Sequence, residues 1–222
     1  MSKIYLIRHG QASLGKENYD QLSSKGEQQA KILNRYFREL SISPDLVITG
    51  DMKRHQQTAQ FALESINGQE NTVIDTAWNE FDFETLIRAY LSQLGPDAPK
   101  PRTPSEFFSA LRAALLAWSK NQIQTQLPET WDAFESRVEQ ALHSLNTQDH
   151  KNIFVFSSGG AISMAIKHIM RLNAETMIDL NLQSRNTGIT ELFIKGDKRY
   201  VSSFNHVSHL NSPEHLDLIT HA

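Results

Sequence analysis

The chain has 222 residues, and 22 Lys plus Arg against 25 Asp plus Glu give a formal net charge of −3 at pH 7. That balance offers no basic excess for nucleic acid, and no run approaches the ~20 apolar residues of a membrane span. The absence of cysteine excludes disulfides, thiolate nucleophiles and Cys-ligated metal sites. At roughly 150 residues per domain, the length suits one domain with an insertion. The apolar run from Met1 to Arg8 is too short for a secretory signal, so the cytoplasm is the expected compartment.

Lys3-Ile4-Tyr5-Leu6-Ile7-Arg8 reads as a strand buried on both faces and stopped by His9-Gly10. A helix is expected from Ser24, with Ser24 as the capping serine three residues before Glu27 and Ala30, Leu33, Phe37 and Leu40 on one face. Asp45 to Thr49 reads as a second strand, followed by a helix from Met52 to about Glu64. Residues from about 83 to 148 are helical in pattern and read as an inserted cap. Three prolines between Leu94 and Arg102 form a semi-rigid connection within it. Thr103-Pro104-Ser105-Glu106 carries a capping-box start, with Phe108, Leu111, Leu115 and Trp118 on one face. A second cap helix carries Trp131, Phe134, Val138, Leu142 and Leu145 on one stripe, and the aromatics of both helices are expected to be packing residues. Ile153 to Phe156 reads as a buried strand, Ser157-Ser158-Gly159-Gly160 as its turn, and Ala161 to about Leu172 as the next helix. Ile189 to Ile194 and Arg199 to Phe204 read as a closing hairpin turning at Gly196-Asp197. Strands alternating with helices imply an α/β, three-layer αβα sandwich with a mostly parallel central sheet and the helical cap inserted in a single domain.

Ligands of such sheets bind outside the carboxyl ends of the strands. Three turns sit at such ends: Arg8-His9-Gly10-Gln11, Thr49 to Arg54, and Ser157 to Gly160. Together they supply an imidazole, two guanidiniums, hydroxyls and a glycine-rich helix start, the inventory of a phosphate site.

Leu6-Ile7-Arg8-His9-Gly10-Gln11 resembles the signature of the histidine phosphatase superfamily, the phosphoglycerate-mutase-like fold. Asp51 to Ala59, with Arg54 and Gln57-Thr58-Ala59, resembles the second motif of that family, and Trp78-Asn79-Glu80-Phe81-Asp82 its acidic segment. Asn186 to Ile189 and Asn205 to Leu210 resemble its closing strands. The resemblance implies a phosphomonoesterase without cofactor or metal, acting on a small-molecule phosphate ester. In it His9 is the nucleophile, its other ring nitrogen held by a backbone carbonyl, and Arg8 and Arg54 bind the phosphoryl oxygens. Glu80 is the general acid and then the base, with Asp82 and Glu84 as alternative proton donors. Gly10, Ser13, Ser157, Ser158 and Gly159 would complete the phosphate site.

Two departures stand out. Members of the family usually carry a second histidine directly before the glycines of the later turn, where this chain has Ser158. Losing one such donor carries an expected penalty of about 10²–10³ in rate, unless His55, His206 or His209 replaces it. After Gln11 come Ala12-Ser13, so Ser13, Asn18 or Tyr19 is expected to serve the phosphate. The departures favour hydrolysis, or binding without turnover, over mutase activity. Trp78, Phe81, Phe83, Arg88 and Arg102 are candidates to line the substrate side of the cap. A metal site at His206, His209 and His215 is a weaker alternative.

Overall fold

The computed structural model describes residues 2–13, 20–95, 100–145, 149–195 and 198–221. Among them, six strands form one sheet in the order β3-β2-β4-β1-β5-β6. β1 (Ser2–Arg8), β2 (Leu46–Thr49), β3 (Thr72–Ile74) and β4 (Asn152–Ser157) run parallel. β5 (Ile189–Lys195) is antiparallel to β1, and β6 (Lys198–His206) is antiparallel to β5. One direction therefore dominates.

The central strands β1 and β4 are buried on both faces because they are apolar at successive positions. Ile4 and Leu6 of β1 join Ile153 and Val155 of β4 in one core cluster. Tyr5 and Ile7 join Phe154 and Phe156 in the other. The second cluster is covered by α1 (Ser24–Glu39) and α2 (Lys53–Ala62), through Leu33, Phe37, Ala59 and Ala62. The first is covered by α3 (Phe83–Gln93), α4 (Pro104–Ser119), α5 (Trp131–Ser144), α6 (Gly159–Met170) and α7 (Ala174–Leu182). This is the three-layer arrangement expected from the strand–helix alternation. Complete burial of Ile4, Leu6 and Ile7 contributes about 1.5–3 kcal/mol per side chain.

The helices between β3 and β4 follow their sequence signals closely. Thr103 caps α4 in a reciprocal capping box with Glu106, and Pro104 opens the helix. Trp118 stacks on Phe134 at 5.7 Å and meets Trp131 edge-on at 5.3 Å, so these aromatics are packing residues. Trp78 belongs to the same core and is fully buried; it does not line the cap.

Other boundaries shift for local reasons. The cap of α1 is Ser23, one residue before the expected one, because its hydroxyl is the group that accepts from Gly26 N–H. β3 is a three-residue exposed edge strand, too short and too polar in context to register as a pattern. α7 gives no separate sequence signal because only Arg171 and Leu172 part the end of α6 from Asn173, which caps α7 by accepting from Thr176 N–H. The Gly196-Asp197 turn, Asn18, Tyr19 and part of the proline connection lie outside the described residues. Among the described residues, no helix is long and apolar enough to cross a membrane.

Candidate active site

Parallel pairing brings the three turns to one edge. Arg8 is registered with Ser157, and Thr49 with Phe156, so the chain leaves β1, β2 and β4 side by side. The turn after β1 lies hard against α1: a side chain at Gly10 would approach the Gly26 carbonyl oxygen to 2.6 Å, which only glycine avoids. Gly10 N–H donates to Thr58 Oγ1 (3.0 Å), and Thr58 Oγ1 donates to the Arg54 carbonyl (2.6 Å), tying this turn to α2. The His9 carbonyl accepts from Asn186 Nδ2 (3.2 Å) and Thr187 N–H (3.3 Å).

His9 is 6% exposed and its Nδ1–H donates to the Gly10 carbonyl at 2.7 Å. A carbonyl oxygen only accepts, so Nδ1 holds the proton and Nε2 carries the lone pair. Burial, followed by the positive fields of Arg54 and Arg8, holds this imidazole well below its ordinary pKa of 6.5. It is a neutral base.

Arg8 and Arg54 flank it. Arg8 Nη1 donates to the carbonyls of Ser184 and His221, the latter at 2.7 Å. Arg54 is 5% exposed and donates to Asp20 at 2.7 Å. Glu80 faces the start of α6, accepting from Gly160 N–H at 3.0 Å. A side chain at Gly160 would meet Glu80 Oε1 at 2.1 Å, so glycine there makes room for the carboxyl group. Burial raises the Glu80 pKa, and the opposing pull of Gly160 N–H, Arg54 and Arg8 does not cancel it. The segment before Glu80 is clamped by Arg137, which donates to the carbonyls of Ala77 (2.8 Å) and Asn79 (2.9 Å) and forks onto Glu129. Asp82 is occupied as the cap of α3, accepting from Thr85 N–H, and Glu84 is exposed.

His9, Arg8, Arg54 and Glu80 all line one cavity of about 1370 Å³, whose other walls come from α3, α4 and the end of α7. Phe81, Phe83, Arg88 and Arg102 line it as well.

The model of the histidine phosphatase superfamily, branch 1, matches residues 4–207. The chain belongs to that superfamily. It is 24% identical over 220 residues to a putative phosphoserine phosphatase 2 from Hydrogenobacter thermophilus, covering 94% of this chain and 98% of the relative. It is 26% identical over 213 residues to a 2,3-bisphosphoglycerate-dependent phosphoglycerate mutase from Streptococcus uberis, covering 82% and 90%. Among solved structures it resembles a putative alpha-ribazole-5'-P phosphatase from Escherichia coli, with a TM-score of 0.67 at 22% identity over 92% of this chain and 96% of that one. A phosphoserine phosphatase from Entamoeba histolytica, solved with phosphoserine, matches with a TM-score of 0.60 at 22% identity over 95% and 100%. These last two likenesses carry the fold.

Within this superfamily member, most of the remaining sequence candidates have hydrogen-bond partners within the protein. Gly10 N–H is taken by Thr58. Ser13 Oγ donates to the Leu22 carbonyl (3.0 Å), and Ser157 Oγ to the Trp78 carbonyl (2.6 Å). Gly159 opens α6 against Asn181 and Ser184. Ser158 is fully buried and makes no capping bond; it shares a 2.7 Å hydrogen bond with His55 Nε2. The His55 ring lies 5.6 Å from that of His9, and burial, then Arg54, keeps it neutral. His209 is paired with Thr187 Oγ1 at 2.9 Å, away from the cavity lining. Among the described residues, no group of three or more His, Asp or Glu side chains is arranged to hold a metal ion, which removes the histidine-cluster alternative.

Thr58, Asn186, Arg137 and Asp20 were not singled out from the sequence for these positions. Thr58 and Asn186 sit inside recognisable motifs, but the pairing of Arg137 with the segment before Glu80 joins residues 58 apart and leaves no local signal.

The buried histidines make folding pH-dependent. His9, His55 and His209 are neutral in the folded chain, with His209 pushed down to about 3 by burial and by His206 and His215. The unfolded chain takes up these protons near 6.5, so stability is full above that pH and falls as the pH drops toward the folded values. The slope is about 1.4 kcal/mol per pH unit for each histidine. Urea midpoints measured between pH 7.5 and 5 should fall accordingly, less steeply in His209→Gln; parallel slopes in the two proteins would contradict the neutral burial of His209.

Proposed function

We propose that the protein is a phosphomonoester hydrolase acting through a phosphohistidine on His9. The observation that carries this reading is the bond from His9 Nδ1–H to the Gly10 carbonyl, which leaves Nε2 unprotonated beside two guanidiniums. Nε2 attacks phosphorus as the bond to the ester oxygen breaks, and protonated Glu80 gives its proton to the departing alkoxide. Ionised Glu80 then takes a proton from the water that attacks the phosphohistidine. Phosphate leaves, and His9 and protonated Glu80 are restored. Arg8 and Arg54 neutralise the charge on the phosphoryl oxygens, the largest part of catalysis in such transfers. No metal or cofactor enters the scheme, so turnover should survive chelators. The helices between β3 and β4 act as the cap of one phosphatase domain, and a cytoplasmic location belongs to the same reading.

A second reading rests on Ser158. Its hydroxyl is buried and engaged with His55, so no cationic donor from that turn faces the phosphoryl group. On this reading the chain binds phosphate esters with little or no turnover.

The pH profile tests the acid. Raising the Glu80 pKa keeps it protonated to higher pH, so kcat/KM should fall on the alkaline side as Glu80 ionises and on the acid side as His9 gains a proton. Glu80→Gln should lower kcat/KM, which reads only the steps up to phosphoryl transfer to His9, by about 10²–10⁴ for an alkyl phosphate and remove the alkaline limb. Its effect on an aryl phosphate, whose leaving group needs no proton, should be much smaller. Equal losses on both esters would exclude Glu80 as the acid.

A further inference from the structure

The cavity reaches far beyond the groups that hold a phosphate. At about 1370 Å³ it exceeds the roughly 300–1,000 Å³ typical of pockets for drug-sized ligands. Its chemistry is divided. Arg8, His9, Arg54 and Glu80 form a polar end at the sheet, whereas the walls contributed by α3 and α4 are Phe83, Ile87, Leu91, Phe107, Phe108 and Leu111. Helix α4 carries two apolar surfaces: Leu115 and Trp118 are buried in the core, but Phe107 stays 37% exposed with Phe108 edge-on beside it at 6.1 Å. The core therefore does not account for these rings. The exposed ends of the lining carry Arg88, Lys100 and Arg102 against Glu84, a balance that draws an anionic ester toward the opening.

A small polar alcohol such as serine or glycerate would leave the apolar walls of α3 and α4 uncovered and facing water. An alcohol with a long apolar or aromatic body would cover the walls while its phosphate stays on Arg8 and Arg54.

We infer that the substrates are amphipathic phosphomonoesters whose alcohol carries a large apolar body, seated between α3 and α4. The inference rests on the phosphate position in the proposed function. It names the part of the substrate that His9 does not touch.

The test uses esters of unactivated primary alcohols, so that leaving-group chemistry stays constant while the body grows. Ethyl, butyl and hexyl phosphate should show kcat/KM rising about threefold to fourfold per added methylene, or about 10²-fold from ethyl to hexyl. Phosphoserine should fall at or below the ethyl ester. Phe107→Ala should narrow the hexyl-to-ethyl ratio by up to about tenfold. Calorimetry with ethylphosphonate and hexylphosphonate reads the same preference without turnover. Tighter hexylphosphonate binding without hydrolysis of any ester would overturn the hydrolase reading and leave the apolar-body inference standing. Equal affinities for the two phosphonates, or phosphoserine as the better substrate, would overturn the inference whatever the turnover.

Discussion

Replacing His9 with alanine should abolish hydrolysis of an aryl phosphate, with a loss of about 10⁴-fold or more, as expected for removal of a covalent nucleophile. The change removes the buried imidazole of the cavity; the other histidine on its lining, His221, is exposed and meets Arg8 through its backbone carbonyl. His55 cannot substitute: its ring is fully buried and its Nε2 is bonded to Ser158. The loss should appear in kcat, because Arg8 and Arg54 remain to bind the ester. The assay belongs near pH 6 to 7, above the depressed His9 pKa, where the imidazole is neutral. Residual turnover within tenfold of wild type would assign the activity to another group.

Arg54→Ala should cost about 10³-fold in kcat/KM, the scale seen when an arginine is withdrawn from a phosphoryl-transfer transition state. Arg54 comes from the first turn of α2, is 5% exposed and is steadied by Asp20. Its charge is therefore presented from a fixed position, with little reorganisation left for the reaction. Arg54→Lys keeps the charge and loses the planar fork, so it should recover only part of the rate. The substitution has a second signature. Arg54 is the largest charge contribution depressing the His9 pKa and also lowers that of His55. In Arg54→Ala the acid limb of the pH profile should therefore move to higher pH. An acid limb that stays in place while the rate falls would contradict the role of Arg54 in depressing the His9 pKa.

Much of this site was legible because its chemistry sits in short segments. Arg8-His9-Gly10 leaves a strand of continuous apolar residues, and Arg54 opens a helix directly after another strand, so the edge they share follows from parallel pairing. The capping box at Thr103 and Glu106 was readable for the same reason: its partners are three residues apart. Long-range partnerships were not. Ser158 reads in sequence as an open position in a phosphate-binding turn, yet its hydroxyl meets His55, 103 residues away. Ser13 and Ser157 look like phosphate donors by residue type but answer to the carbonyls of Leu22 and Trp78. Hydroxyl direction is set by rotamer and neighbouring backbone, which spacing does not encode. Trp78 illustrates the same limit for apolar residues, since its place in the core rather than the cavity is decided by helices far along the chain.

The covalent step is the centre of this account, and trapping it is the most direct test. Wild-type protein turning over an aryl phosphate should be quenched in alkali, where a phosphoramidate survives, and its peptides analysed by mass spectrometry. The account predicts a phosphoryl group on His9 that is lost on acid treatment and absent from His9→Ala. Steady hydrolysis with no phosphorylated His9, or with the phosphoryl group on another residue, would contradict it.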